Sequence, residues 1–402
     1  MSHAAGDPRL IGAQQAPRKP WRLSWSDPRT RNVVWQVVVI GAVGAVLWYL
    51  IGNTNRNLAA RHIATGFGFL GRTAGIPIGE QPIPYNSATD TFAKALLEGI
   101  LNTLKVAVVG IILATIWGTL IGIGRTSRNW LVARLTAIYV ETLRDIPVLL
   151  QLLFWYTLLQ GLPAPRQAMR LGSIFLSNRG IKIPVLVWSG AYSWAVLGGV
   201  LGIGLTVVWA RWAKRRRDET GSAPPVWPVA LGLIIGLPVL IWALLGAPHV
   251  VDAPALHGFN FVGGATITPE YAALLLGLSI YTAAYIAEIV RSGIQSVPHG
   301  QWEAAGALGL RRGTVLRMVV LPQALRVIIP PMTSQYLNLT KNSSLAVAIG
   351  YQDIVSIANT TLNQTGQAIE GIAIIMAVYL VISLSISLFM NWYNARMALV
   401  ER

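Results

Sequence analysis

Charged side chains are scarce in this sequence, so the few places where they gather with other polar groups are where its chemistry would reside. Glu288, with Tyr285 three residues before it, closes the apolar run 271–287. An ionisable residue at membrane depth is costly and commonly functional. Glu288 can accept from the ammonium of a bound solute, or it can pair with Arg291 one turn on and merely anchor the helix end. The cluster Thr340-Lys341-Asn342-Ser343-Ser344 follows a shorter apolar segment broken by Pro330-Pro331. Irregular backbone at that depth is tolerated where it lines a cavity or is buried in protein. The cluster therefore reads as donors along a path or as an exposed turn. Tyr285, Glu288, Lys341, Asn342, Ser343 and Ser344 are the path candidates, expected to face one cavity. Glu141, Arg144 and Asp145 open a further run, where Glu141 and Arg144 can pair at i+3. A structural anchor is the stronger reading there. The chain has no cysteine, so neither disulfides nor thiolate metal sites arise. Its five histidines lack HxxxH or HExxH spacing, so neither a metal nor a cofactor is expected. No GxxxxGK[ST] phosphate loop and no catalytic spacing of His, Asp and Glu occurs, so an enzyme is not expected either.

These residues need elements to hold them, and composition says which. Of 402 residues 53% are hydrophobic and 12% charged, where soluble domains carry about 25% charge. The net charge of +16 raises nucleic acid as a partner. The basic residues, however, sit in short loops between apolar runs rather than on one solvated face, which argues against nucleic acid. A bilayer core needs roughly 20 apolar residues. Runs that meet or approach this are 33–51, 106–123, 146–162, 183–210, 226–247, 271–287 and 371–390, with 327–340 as a short eighth. The fold expected is all-α and polytopic, with about eight transmembrane helices in the lipid bilayer. Basic residues favour the cytoplasmic side. The tail at 1–32, the cluster Arg211–Arg217 and Arg291–Arg326 then lie inside with both termini. The loop 248–268 has neither Lys nor Arg and suits the outer face, whereas 163–182 carries four basic residues there against the rule. The polar tail is too long for the leader of a cleavable signal, so the run 33–51 reads as a retained anchor.

Between the last core runs lies a compact polar module. Ser296 can cap a helix whose first turn holds Pro298. Good helix formers fill 300–308, and Gly309 provides a left-handed stop. A second helix is expected over 311–320, closed by Pro322. Such a helix–glycine–helix elbow can dock into a cleft on a soluble partner.

Glu303-Ala304-Ala305, then Gly309, then Leu321-Pro322 resembles the "EAA" loop of ABC importer permeases. "SIYTAAYIAEIVRSGIQSVPHGQWEAAGALG" (279–309), "PPMTSQYLNLTKNSSLAVAIG" (330–350) and "ETLRDIPVLLQLLFWY" (141–156) are similar to the polar amino-acid uptake branch. The likeness covers about 95–160 and 262–393. It implies a type I ABC importer permease core at the cell inner membrane. Glu303, Ala304, Ala305, Gly309, Leu321 and Pro322 would then dock an ATP-binding cassette ATPase subunit. It further implies a second permease subunit, related or identical, and a periplasmic amino-acid-binding protein. The layout departs from the five-span family pattern through an extra span at 33–51, an outer segment 52–94 and an inserted helix pair at about 183–247. The core is 95–393, the coupling loop 291–326 and the cytoplasmic end 394–402. This enlarged layout is most like the general L-amino-acid permeases. A stand-alone secondary transporter is the competing reading; such folds show internal repeats and paired broken helices, and this sequence has one broken segment and no repeat.

Overall fold

The computed structural model describes residues 25, 28–60, 65–222 and 224–397. The tail expected at 1–32 lies outside the described residues except for 25 and 28–32, as does 398–402. The chain divides into two compact units after Gly66. The first contributes one helix, α1 (Pro28–Ala60), which contains the expected span 33–51. Its apolar residues, Trp35 and Trp48 among them, are exposed all round, as suits a helix whose surroundings are lipid.

The second unit carries the rest. After a 3-10 turn (Phe67–Gly71) come α2 (Phe92–Arg125), α3 (Trp130–Asp145) and α4 (Val148–Gln160). The expected span 146–162 is thus the short helix α4 preceded by a separate helix. Ile146 is extended because the residue before a proline is driven out of the α region, and Pro147 takes the cap position before α4. Thirteen residues reach only about 20 Å. Strands β1 (Met169–Leu171), β2 (Ile174–Ser177), β3 (Gly180–Ile183) and β4 (Val185–Leu186) follow. The expected span 183–210 therefore begins later, as α5 (Gly190–Thr220). Its partner is α6 (Val226–Leu231), a π turn (Gly232–Gly236) and α7 (Leu237–Leu244). Strands β5 (Val251–Asp252), β6 (Ala255–His257), β7 (Asn260–Val262) and β8 (Ala265–Ile267) lead back to the core.

The remaining helices are α8 (Pro269–Gln295), α9 (His299–Ala307), α10 (Arg312–Val315), α11 (Leu321–Asn342), α12 (Ile354–Thr365) and α13 (Ala368–Met397). Among the described residues seven helical segments are long and apolar enough to cross a membrane, with α4 as a shorter eighth. The least secure expected span, 327–340, lies inside the longest of them, Gly313–Ile349. The fold is mostly helical, as expected, with the strands as an addition. Four of them form an antiparallel sheet in the order β1-β2-β3-β8, where Ile181 pairs with Ile267 and so joins the two ends of the insertion, while β4-β5 and β6-β7 form separate two-stranded pairs.

The core is built on α8, 61% of whose most apolar stretch is buried. It lies against α2 at glycine positions. A Cβ on Gly118 would fall 2.6 Å from the Ile286 Cβ, and one on Gly122 2.7 Å from the Ala287 carbonyl oxygen. Small residues let helix backbones approach where dispersion, not hydrophobic exclusion, drives packing. Leu274, Leu278, Ile286 and Leu339 fill the space between α2, α8 and α11.

Candidate functional site

The elbow follows α8. Ser296 does not cap the next helix; it ends α8, its Oγ donating to the Gly293 carbonyl at 2.8 Å. Pro298 occupies the cap position of α9 instead, where its lost N–H costs nothing. Gly309 has φ +69°. Its N–H bonds the Gly306 carbonyl at 2.9 Å, and Leu310 N–H bonds Ala305 at 3.4 Å. That pair of bonds is a Schellman stop, which satisfies carbonyls a helix end leaves open. Pro322 does not close the second arm. Leu316–Val320 winds as a π turn and runs straight into α11, with Pro322 in the first turn. The wider turn carries the carbonyl four residues back away from the proline ring, which removes the clash that ends an α-helix.

Ala305, Val315 and Val320 are buried and hold the elbow to the core. Glu303 is exposed and pairs with His299 Nδ1 at 3.0 Å, and Ala304 beside it is also exposed. Leu308 and Met318 are 78% and 70% exposed, beside the exposed Arg311 and Arg317. Leu321 is half exposed and Pro322 half buried. An apolar tip rimmed by guanidinium groups is a docking surface in chemical terms.

Residues 233–399 match the family described as "binding-protein-dependent transport system inner membrane component". A "General L-amino acid transport system permease protein AapQ" of Rhizobium johnstonii is 51% identical over 95% of this chain and 96% of its own length. A "Putative amino-acid ABC transporter permease protein YhdX" of Escherichia coli K12 is also 51% identical, over 94% and 97%. A "Glutamate/glutamine/aspartate/asparagine transport system permease protein BztB" of Rhodobacter capsulatus is 42% identical over 97% and 99%. The chain belongs to this family. It is an ABC importer permease of the inner membrane.

The permease separates the two groups of path candidates. Glu288 accepts from Arg125 of α2 and from Arg291, whose Nε lies at 3.1 Å, and Glu141 of α3 is 3.9 Å from Arg125. Arg144 does not pair with Glu141; its guanidinium lies over the Tyr285 ring at 5.1 Å. Tyr285 also takes a hydrogen bond from Tyr281 at 3.1 Å. Glu288 and Tyr285 thus knit together α2, α3 and α8. Ser343 is buried, its Oγ donating to Thr340 at 2.7 Å, and Ser344 donates to Lys341 at 2.8 Å. Lys341 is exposed and Asn342 half buried. They lead into the 3-10 turn Ser343–Ile349, beyond which the Tyr351 ring lies tilted against that of Tyr271, centroids 5.9 Å apart. Tyr271 and Glu288 stand about 25 Å apart along α8 by helical rise, so Glu288 and this end of the molecule do not line one cavity.

A polar cluster that the reading of the sequence passed over gathers at the Thr268 end of α8. Glu98, Asn102 and Lys105 point from α2; the first two are fully buried. Their i, i+4, i+7 spacing inside an apolar run was the available signal. Asn102 Nδ2 donates to the carbonyls of Glu80 and Gln352, both at 3.0 Å. Asp353, also fully buried, caps α12 by accepting from Ser356 N–H at 2.8 Å. Burial pushes its carboxyl up to about 7, against the pull of the backbone N–H groups of Ser356 and Val355.

Proposed function

We propose that this permease passes L-amino acids across the cytoplasmic membrane in an ATP-driven importer and takes its energy through the elbow. What carries the reading is the end-to-end identity of 51% with a general L-amino acid permease. The exposed tip formed by Glu303, Ala304, Leu308 and the left-handed Gly309 supports docking to a separate ATPase subunit, with Ala305, Leu321 and Pro322 as its base. Closure of the ATPase dimer moves the elbow. Because α10, the π turn and α11 are continuous, that motion reaches the span directly. A second permease, copy or relative, completes the path, and a soluble amino-acid-binding protein delivers cargo to the outer side. The clusters of Arg and Lys favour an elbow and termini in the cytoplasm, with the β-sheet outside. On this topology 52–94 is the outer segment, and Lys341, Asn342, Ser343 and Ser344 lie near the outer mouth, with Tyr285 and Glu288 at the inner one.

The test is reconstitution with ATPase and receptor subunits in liposomes. Uptake of basic, acidic and neutral amino acids should require ATP and all subunits. Uptake by the permease alone, driven by an ion gradient, would overturn the reading. Reporter fusions after residue 217 and near 258 should read cytoplasm and exterior respectively.

A further inference from the structure

The segment 76–85 has no regular structure, yet it joins three core elements. Ile76, Ile78 and Tyr85 are buried against α2 and α12, and Tyr85 OH donates to the Ile76 carbonyl at 3.0 Å. Between these apolar anchors, residues 77–80 are held by polar contacts. Gln352 accepts from Gly79 N–H at 2.6 Å and donates to the Pro77 carbonyl. Asn102 holds the Glu80 carbonyl. The Glu80 carboxylate, only 8% exposed, takes bonds from the Lys105 ammonium, from Thr268 N–H at 3.1 Å and from Thr268 Oγ1 at 2.9 Å. One loop carboxylate therefore lies on a cation, a hydroxyl and the N-cap N–H of a 27-residue helix. All three favour an anion.

A second feature concerns the opposite charge. The Asn102 side-chain oxygen is buried without a hydrogen-bond donor among the described residues. It lies three residues before Lys105, on the same helix face. A buried acceptor left open is costly, and an ammonium, with three donors, would satisfy it. A site that holds a carboxylate and keeps an empty acceptor beside it has the chemistry of an α-amino acid.

We infer that Lys105, Thr268 and Asn102 form an amino-acid subsite that the strap 76–85 closes, with the Glu80 carboxylate in the place of the cargo's own. The inference rests on the proposed transport of amino acids and names residues for it. When the ends of α2, α8 and the 350–353 turn part, the Glu80, Asn102 and Gln352 bonds break together and the strap lifts. The cargo carboxylate then takes the Lys105 and Thr268 donors. With no cargo, Glu80 returns and satisfies them, so the mouth closes without leaving the half-exposed Lys105 ammonium unpaired.

The test uses the reconstituted transporter and two sets of variants. The chain has no cysteine, so Gly79→Cys with Gln352→Cys introduces a unique pair; a Cβ on Gly79 would stand 3.8 Å from Gln352 Oε1. A short bis-thiosulfonate bridging the pair should cut uptake of L-glutamate, L-glutamine and L-arginine, and reduction should restore it. Each single variant should transport with the reagent present. Undiminished uptake by the bridged protein would show that the strap does not open and would overturn the inference. In the second set Lys105→Met should raise KM about tenfold, the loss of one charge-assisted contact, and Lys105→Arg should recover part of it. Glu80→Gln, which weakens the competitor, should lower KM and raise ATP hydrolysis in the absence of receptor. If Lys105→Met does not accumulate in the membrane, Glu80→Gln makes the comparison from the other partner. An unchanged KM in both, or a loss confined to kcat, overturns the subsite. Unmodified transporter assayed in parallel separates the two readings. If it carries no amino acid, the proposed function fails and takes this inference with it; if it does and the variants match it, only the inference fails.

Discussion

The core pair α2/α8 and the inserted pair α5/α6–α7 are made of similar material and packed to different ends. Their most apolar windows have mean hydropathies of 2.4 and 1.8 in the core and 1.7 and 2.2 in the insertion. Both pairs use glycine to bring backbones together. In the insertion a Cβ on Gly202 would fall 2.0 Å from the Leu233 carbonyl oxygen. Yet 33% and 61% of the core windows are buried, against 11% and none in the insertion. Hydropathy reports that a helix belongs in a membrane; it does not report whether the helix faces lipid or protein. The core helices are enclosed by neighbours, whereas α5 and α6–α7 rest on one another and expose their remaining faces.

That contrast can be broken by substitution at the glycine contacts. Gly122→Leu should have the largest effect, because the new side chain meets the Ala287 backbone and Val290, neither of which can retreat. Overpacking costs about 1–3 kcal/mol or more, and membrane accumulation of folded permease, read by detergent-solubilised gel filtration, should collapse. Gly309→Val comes next and separates coupling from folding. A β-branched residue at φ +69° is strained, although nothing stands within 4 Å of its Cβ. Uptake should fall at least about tenfold while accumulation persists; normal uptake would remove the elbow from the mechanism. Gly202→Leu should do less. It splits the inserted pair, so α5 and α6–α7 should become sensitive to protease while the core remains folded. Loss of the whole protein in that variant would mean that the insertion supports the core after all.

The smallest effect is a pH dependence in the core. Asp353, ordinarily near 3.8, sits at about 7 when folded. A raised carboxyl favours the folded state while neutral. Its contribution is complete below about pH 4 and is lost as pH rises through about 7. Asp353→Asn keeps an acceptor for Ser356 N–H and removes the titration. Thermal midpoints of the two proteins in detergent should converge near pH 4 and diverge above 7, with the Asn variant favoured at high pH. Parallel curves across that range would contradict the buried carboxyl.

The apolar runs were legible in the sequence because each is a local property of about twenty residues. The Gly309 stop was legible for the same reason, since a left-handed turn after a helix is chosen by one residue. Pro322 misled because its clash depends on the winding of the turn before it, and a π turn leaves no compositional mark. The strands of 169–186 and 251–267 were missed because pieces of two to four residues are too short to show alternation. Their register is set by pairing across an insertion, as at Ile181 and Ile267. The partners of Glu288 were half visible. Arg291 is one turn away, whereas Arg125 is reached only once α2 and α8 meet. The cluster at Asn102 and Lys105 depends likewise on three segments that the sequence keeps far apart.

The π turn at Leu316–Val320 has a bearing on how the elbow is aimed. One extra residue in a helical winding turns everything before it by about 100° relative to everything after it. Arg311, Gly313, Thr314 and Arg317 therefore present themselves at an azimuth that an unbroken α-helix through Pro322 would not give them. The angular phase between a surface meant for another subunit and a helix meant for the bilayer is stored in a single widened loop of backbone, and the ring of Pro322 opposes its rewinding.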